Sequence, residues 1–334
     1  MAAKPTFVKA KFILLGLTMA LLLSPQTIRA LPEQDRAQAE HAERTDDALQ
    51  VQSIANYFRS RLPIPHSMSP ATEVSEAQAI AYAEYQRDHF ILDLLPEFGP
   101  IVGYKAALTS PPAQARFGIS QPLRGTLLHH MLLDSGATIP SNFGARPLFE
   151  PDLMVRVGSA AINNATTRPE ALAALKSVIP FIELPDMMFA SDVELGVTDL
   201  IAVNVGARLG VMGKEVPLHP SALSPHPDGQ DWVDGLGNIE VTIMAGSADE
   251  IDQGGGEAIA SGNSQALLGH PLDAVLWLVK DLKRSGQCLR PGDLLSLGSI
   301  TAPMPVVPGQ TIEARYQGLA EDINTVQITF EPLP

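Results

Sequence analysis

Among the 334 residues there is a single cysteine, Cys288. An intramolecular disulfide is therefore excluded, as is any Cys-x-x-Cys or Cys/His zinc spacing. The lone thiol reads as a small hydrophobe packed like its neighbours. Aromatic residues are scarce at 5%, so a core must be assembled mainly from Leu, Ile, Val and Ala. Positive charge is also short. There are 23 Lys and Arg against 37 Asp and Glu, a net charge of −14. No basic cluster interleaved with aromatics is present, which argues against a nucleic-acid partner. An acidic protein that binds an anionic ligand needs a local positive centre, supplied by a metal or by individual Lys and Arg residues.

The N-terminal apolar run is short too. It extends from Phe12 to Leu23, less than the roughly 20 residues that a membrane span needs. Lys4, Lys9 and Lys11 precede it, and Ser24-Pro25 and then Ile28-Arg29-Ala30 follow. This is the layout of a secretory signal over residues 1–30, either cleaved or kept as an anchor. The body is expected to be exported, to the periplasm, with no membrane contact beyond that signal. Residues 31–50 form a polar lead-in. Residues 51–334 are enough for one large globular domain.

Helical spacing begins at Ile54, Ala55, Tyr57 and Phe58 and stops at Pro63 and Pro65. A second helix is expected over Val74–Leu94, ended by Pro96 and Gly99. Short β-like runs with turn punctuation follow. They are Ile101–Leu108, Leu148–Val157, Val178–Leu184, Leu200–Val205, Ala207–Met212, Ile239–Met244, Asp293–Gly298, Thr311–Tyr316 and Ile323–Phe330. Two helices interrupt them, Pro169–Lys176 and Pro271–Ser285, and Pro217–Asp231 reads as a surface loop. Many strands and few helices predict an α+β fold with a mixed, strongly bent sheet.

Within this pattern, carboxylates occur where apolar residues are expected. Glu150 and Asp152 lie inside Leu148-Phe149-Glu150-Pro151-Asp152-Leu153-Met154-Val155. Residues two apart on a strand share a face. Two buried carboxylates side by side repel each other and lose hydration. Glu183 is a third lone acid, in Val178-Ile179-Pro180-Phe181-Ile182-Glu183-Leu184. Two readings stay open. Pro151 and Pro180 favour edge strands with solvent-facing acids. Alternatively, the three carboxylates form part of the oxygen shell of a hard divalent cation.

Several segments in order resemble the 2-keto-4-pentenoate hydratase and 4-oxalocrotonate decarboxylase branch of the fumarylacetoacetate hydrolase superfamily. They are Pro63-Ile64-Pro65, Gly103-Tyr104-Lys105-Ala106-Ala107-Leu108-Thr109-Ser110, Gln121-Pro122-Leu123-Arg124-Gly125-Thr126-Leu127, Phe149-Glu150-Pro151-Asp152 and Phe181-Ile182-Glu183. Gly269-His270-Pro271-Leu272-Asp273-Ala274-Val275-Leu276-Trp277-Leu278 and the closing Pro291-Gly292-Asp293, Gly298-Ser299 and Pro308-Gly309 complete the set.

The resemblance spans about Ile54 to Phe330. It implies a bent mixed β-roll like the fumarylacetoacetase C-terminal domain, with N-terminal helices, assembled as a homo-oligomer. It further implies Mg²⁺ or Mn²⁺ on Glu150, Asp152 and Glu183, and a small 2-oxo or 2-hydroxydienoic acid as ligand. Lys105 is implied as a cation or proton donor beside that ligand, and Ser299 and Thr301 as donors to its carboxylate. The implied activity is hydration of a 2-hydroxy-2,4-dienoate to a 4-hydroxy-2-oxo acid. C–C hydrolysis, decarboxylation and binding with little turnover are the alternatives.

Four departures bear on the chemistry. Asp152 stands for the branch's second Glu, shorter by one methylene. Leu123 replaces an acid in the Gln-Pro-Asp turn. His129-His130 replaces an acidic pair, which makes His129 a candidate for the missing acid/base group. Val203-Asn204 keeps the Asn but lacks the Asp before it.

Overall fold

The computed structural model describes residues 53–69, 74–218, 232–319 and 323–333. The expected signal, the lead-in and most of the Pro217–Asp231 loop lie outside the described residues. In chain order the elements are α1 (residues 53–60), α2 (Glu76–Phe98), β1 (Ile101–Ala107), α3 (Pro111–Arg116), β2 (Leu123–Leu128), β3 (Leu132–Asp134) and β4 (Ala137–Pro140). Then come β5 (Leu148–Val157), α4 (Arg168–Ala174), β6 (Leu175–Leu184), α5 (Val197–Ala202), β7 (Leu209–Met212), β8 (Val216–Pro217) and α6 (Trp232–Leu236). The chain continues with β9 (Glu240–Gly246), α7 (Ala248–Asp252), β10 (Glu257–Asn263), α8 (Pro271–Arg284), β11 (Leu294–Ser299), β12 (Met304–Pro305), β13 (Thr311–Gln317) and β14 (Asn324–Glu331).

Caps explain where the long helices begin. Ser75 accepts the Gln78 N–H, and the Gln78 side chain reaches back, forming a capping box at the start of α2. The helix runs on through Pro96 to Phe98, because a proline in the last turn removes only one ladder bond. His270 Nδ1 accepts the Leu272 N–H ahead of Pro271, which opens α8. Leu272, Val275, Leu278, Val279 and Leu282 form its buried stripe. Among the described residues no helix is long and apolar enough to cross a membrane.

A nine-stranded sheet runs in the order β2-β1-β11-β5-β6-β7-β3, with β12 on β5 and β8 on β6. A five-stranded sheet runs β10-β9-β13-β14-β4. One face of the large sheet, with Leu153, Val155, Ile182, Leu295 and Leu297, packs on α8 and on Ile243, Ile312, Tyr316 and Ile328 of the small sheet. Each such buried aliphatic or aromatic side chain contributes about 1.5–3 kcal/mol. The opposite face carries a small apolar cluster of Leu127, Met154, Ile179, Phe181 and Leu294. A third core, built from α1, α2 and α5, adjoins the β2 end of the large sheet. The fold is therefore α+β with a mixed sheet curled around α8 and a second sheet.

Three differences from the sequence expectation have physical causes. The run expected as a strand over Leu200–Val205 is α5 followed by a tight turn. Asp199 caps it, accepting the Gly196 N–H at 2.8 Å while also holding Met68 N–H at 2.6 Å and Ser67 Oγ at 2.8 Å. Second, β2 passes through Gly125, a residue that reads as a turn. Third, β10 is a polar outer strand held only by β9, and its composition carries little β signal.

Candidate functional site

The register of the large sheet assembles the site. Glu150 on β5 lies directly opposite Glu183 on β6, and Asp152 lies opposite Phe181. Lys105 on β1 pairs with Ser296 on β11. All five polar side chains fall on one face, because strand side chains alternate and cross-strand partners share a side. The edge-strand alternative does not hold, since β5 and β6 are interior strands. Pro151 and Pro180 are accommodated there because their carbonyls still accept N–H groups from Ile300 and Gly213, each at 2.8 Å.

Burial here is nearly complete: Lys105 2% exposed, Glu150 8%, Asp152 0% and Glu183 3%. If all three carboxylates ionise against one ammonium, two negative charges are uncompensated. Burial, then the charge of Glu183, pushes the Glu150 carboxyl well above the usual carboxylate range. Asp152 is pushed up by the same two causes in the same order, opposed chiefly by its hydrogen bond from Ser296.

Each group has distinct partners. Lys105 Nζ donates to a Glu183 carboxylate oxygen and lies 3.4 Å from the Val205 carbonyl. The other oxygen of that group, Oε2, is buried and receives no N–H or hydroxyl; a hydrogen bond to Glu183 is instead among the causes that raise Glu150. Asp152 Oδ1 accepts N–H from Leu153 (2.6 Å), Gly298 (2.9 Å) and Leu297 (3.1 Å), while Oδ2 accepts the Ser296 hydroxyl. A break in register between Ser296 and Ser299 aims those β11 amides at one oxygen, as a β-bulge does.

Lys105 is held from both sides. A Cβ at Gly125 would meet Lys105 Cγ and Val205 Cγ2, both at 2.8 Å, so only glycine admits the lysine stem. Val205 belongs to a left-handed run, Asn204 (φ 57°), Val205 (φ 47°) and Gly206 (φ 71°). For a β-branched residue that conformation is strained. Asn204 pins it by accepting Thr126 N–H at 2.7 Å and donating to Thr126 C=O at 2.8 Å.

The remaining sequence candidates fall elsewhere. Ser299 is the ladder partner of Asp152, but its hydroxyl donates to the Thr301 carbonyl. Thr301 Oγ1 donates to Ala302 C=O at 3.2 Å. Both hydroxyls are thus turned into their own loop. His129 is not brought to the cluster. It is exposed, in a one-turn 3₁₀ segment after β2, while the strand pairing sets Gly125 beside Lys105. Its backbone N–H bonds Pro100 C=O at 3.0 Å, and its ring stacks edge-on with His130. Ser296 and Val205 escaped the sequence reading, and Asn204 was noted there without its role. Ser296 was visible as a lone hydroxyl in an apolar strand, whereas the Asn204 clamp reaches across 78 residues.

The donor set fits a hard divalent cation. It offers buried carboxylate oxygens, one of them unpartnered, with an excess charge that a dication would cancel. Among the described residues, no group of three or more His, Cys, Asp or Glu side chains is placed so as to hold a metal ion in this conformation. In this conformation Lys105 is drawn onto Glu183, and Asp152 is engaged by its four donors.

No family model matches the chain. It is 28% identical over 283 residues to a 2-keto-4-pentenoate hydratase of Paraburkholderia xenovorans, covering 84% of this chain and 93% of that one. A 4-oxalocrotonate decarboxylase of Pseudomonas putida is 25% identical over 219 residues, covering 66% of this chain and 75% of the relative. The solved 4-oxalocrotonate decarboxylase from Pseudomonas putida G7, complexed with magnesium and adipate, superposes with a TM-score of 0.66 at 22% identity. That match covers 85% of this chain and 98% of the solved one, and it shows the fold. In its ordered motifs and its architecture, the chain is thus similar to the 2-keto-4-pentenoate hydratases and 4-oxalocrotonate decarboxylases.

Proposed function

We propose that this protein is a metal-dependent hydro-lyase, which hydrates a 2-hydroxy-2,4-dienoate of the 2-keto-4-pentenoate type to a 4-hydroxy-2-oxo acid. The observation that carries the reading is the buried excess of negative charge at Glu150, Asp152 and Glu183, with Glu183 Oε2 left unpartnered. Glu150 and Glu183 would hold Mg²⁺ or Mn²⁺, with Asp152 closing the set through Oδ2. A bound divalent ion polarises a 2-oxo group and stabilises the negative charge that develops on it.

The chain's own residues supply the rest. Lys105, freed from Glu183, binds the carboxylate of the acid and holds a proton at Nζ beside the reacting carbon chain. The Val205 carbonyl orients that ammonium. The Ser296 hydroxyl and the amides of Leu297 and Gly298 hold the Asp152 carboxyl correctly turned. Burial excludes bulk water, so the only water to react is one admitted with the ligand.

The decarboxylase relatives support a second reading, C–C cleavage of a dicarboxylic 2-oxo acid. A second carboxylate, as in oxalocrotonate, requires a second cation. No guanidinium is among the charges acting most strongly on Glu150 or Asp152. Arg124 and Arg208, both buried, are already paired with Asp281 and Asp186. This favours a monocarboxylic acid and hydration.

The test is the ultraviolet absorbance of 2-hydroxypenta-2,4-dienoate with purified protein and Mg²⁺ or Mn²⁺. A metal-dependent loss, with 4-hydroxy-2-oxopentanoate as product, is expected. An unchanged spectrum together with absence of Mn²⁺ binding overturns the assignment. Export rests on the N-terminal pattern from Lys4 to Ala30. A mature chain beginning near Leu31 in a periplasmic extract is the expected outcome, and retention in the cytoplasm refutes it.

A further inference from the structure

A hydroxyl group stands inside the backbone ladder at the level of the carboxylates, and it comes from the other sheet. Tyr316 on β13 is fully buried. Its phenol oxygen lies 2.7 Å from the Asp152 carbonyl and 2.7 Å from the Phe181 carbonyl, and it accepts the Phe181 N–H at 3.3 Å. Asp152 and Phe181 are the register partners next in line to Glu150 and Glu183 on the same face. The phenol therefore occupies the rung that β5 and β6 would otherwise share. With one proton to give, it donates to one carbonyl at a time while receiving the amide.

Pro151 and Pro180 turn their carbonyls outward, to the Ile300 and Gly213 N–H groups, so it is Asp152 and Phe181 whose main chains face each other across the β5–β6 rung. The phenol links them to each other and to the five-stranded sheet.

We propose that Tyr316 is a positioning residue: its hydroxyl sets the spacing of β5 and β6 at the Asp152–Phe181 rung, and so sets how Glu150, Asp152 and Glu183 offer their oxygens to a divalent cation. This rests on the metal-dependent reading above. Tyr316 does not touch the ligand; it acts through the backbone of residues that do.

The test is Mn²⁺ titration, followed by electron paramagnetic resonance of the free ion, on the full chain and on Tyr316→Phe and Thr311→Val. Thr311 is an equally buried hydroxyl on the same strand, but it bonds Thr329 Oγ1 at 2.9 Å within the five-stranded sheet. Tyr316→Phe is expected to weaken Mn²⁺ about 10-fold, the low end for groups that orient metal ligands. Thr311→Val should bind as the unaltered protein does. Trimethylamine N-oxide strengthens burial generally, so it should raise the melting temperature of Tyr316→Phe and leave its binding deficit. Equal affinity in Tyr316→Phe, an equal loss in Thr311→Val, or recovery of affinity with the osmolyte each overturns the proposal. So does a Tyr316→Phe chain that fails to fold even with osmolyte, which makes the phenol a requirement of the fold instead. An unaltered protein that does not bind Mn²⁺ overturns the metal reading itself, whereas binding that is indifferent to Tyr316 removes only the positioning role.

Discussion

Glu183 is the penultimate residue of strand β6, and Asp186 follows it by three residues. Both are buried, 3% and 1% exposed, yet their surroundings are opposite. Asp186 accepts N–H from Ala145 (3.0 Å), Arg146 (2.8 Å) and Met188 (3.3 Å), and the Arg208 guanidinium at 3.1 Å. Arg208 stacks 4.1 Å over Phe58 and donates to its carbonyl. Burial brings Arg208 down to about 10, still charged at neutral pH. Glu183, by contrast, faces another carboxylate, shares one ammonium and leaves Oε2 unpartnered. Asp186 has donors to spare, as a charge that serves the fold requires. Around Glu183 the acceptors are in excess, and that stability deficit makes sense where a cation is to be received.

Removing each acid in turn should separate the two roles. Asp186→Ala strands a buried arginine and should cost about 3–5 kcal/mol in urea unfolding, with Mn²⁺ affinity unchanged. Glu183→Gln should do the reverse. Its Mn²⁺ affinity should fall by more than the roughly 10–100-fold typical of residues that only orient a ligand, and its metal-free stability should change far less than that of Asp186→Ala. Equal Mn²⁺ affinity in both variants would erase the distinction.

Acidity sharpens the contrast further. Glu150 and Asp152 titrate above their ordinary values of 4.5 and 3.8 in the folded chain. The native state therefore holds protons that the unfolded chain releases. In chelator, the stability these two groups contribute is fully present below those ordinary values and should be lost as pH rises through the raised folded values. Melting temperatures across that range, with and without Mn²⁺, test this; the metal should flatten the slope. Gly125→Ala, which crowds Lys105 and Val205, should lower turnover about 10-fold and stability by about 1–3 kcal/mol. His129→Ala should alter turnover less than about two-fold, since a group supplying acid/base catalysis is worth ~10²–10⁴-fold. A larger loss would return His129 to the chemistry.

Much of this was legible in the residues. Strand β5 spans Leu148–Val157, the bounds its apolar run predicts, and α8 starts at the Pro271 its caps announce. The acids stood out because a charge in an apolar strand needs a reason, and Lys105 was singled out by the resemblance. What sequence could not yield depends on distant partners. Asp199 caps α5 and also binds Ser67 across 132 residues, turning an expected strand into a helix. Tyr316 meets Asp152 across 164 residues, so no local spacing announces it. Ser299 and Thr301 had the right chemistry at the right strand end, but the bulge after Ser296 turns backbone amides and Ser296 toward Asp152 instead.

Val205 leaves the protein with a conflict at one position. Its left-handed backbone suits glycine, so Val205→Gly would relax the main chain while loosening the carbonyl that lies 3.4 Å from Lys105 Nζ. A search for hardier variants would be drawn to this site and would select a tougher, slower protein. The strained valine records where durability and chemistry pull apart.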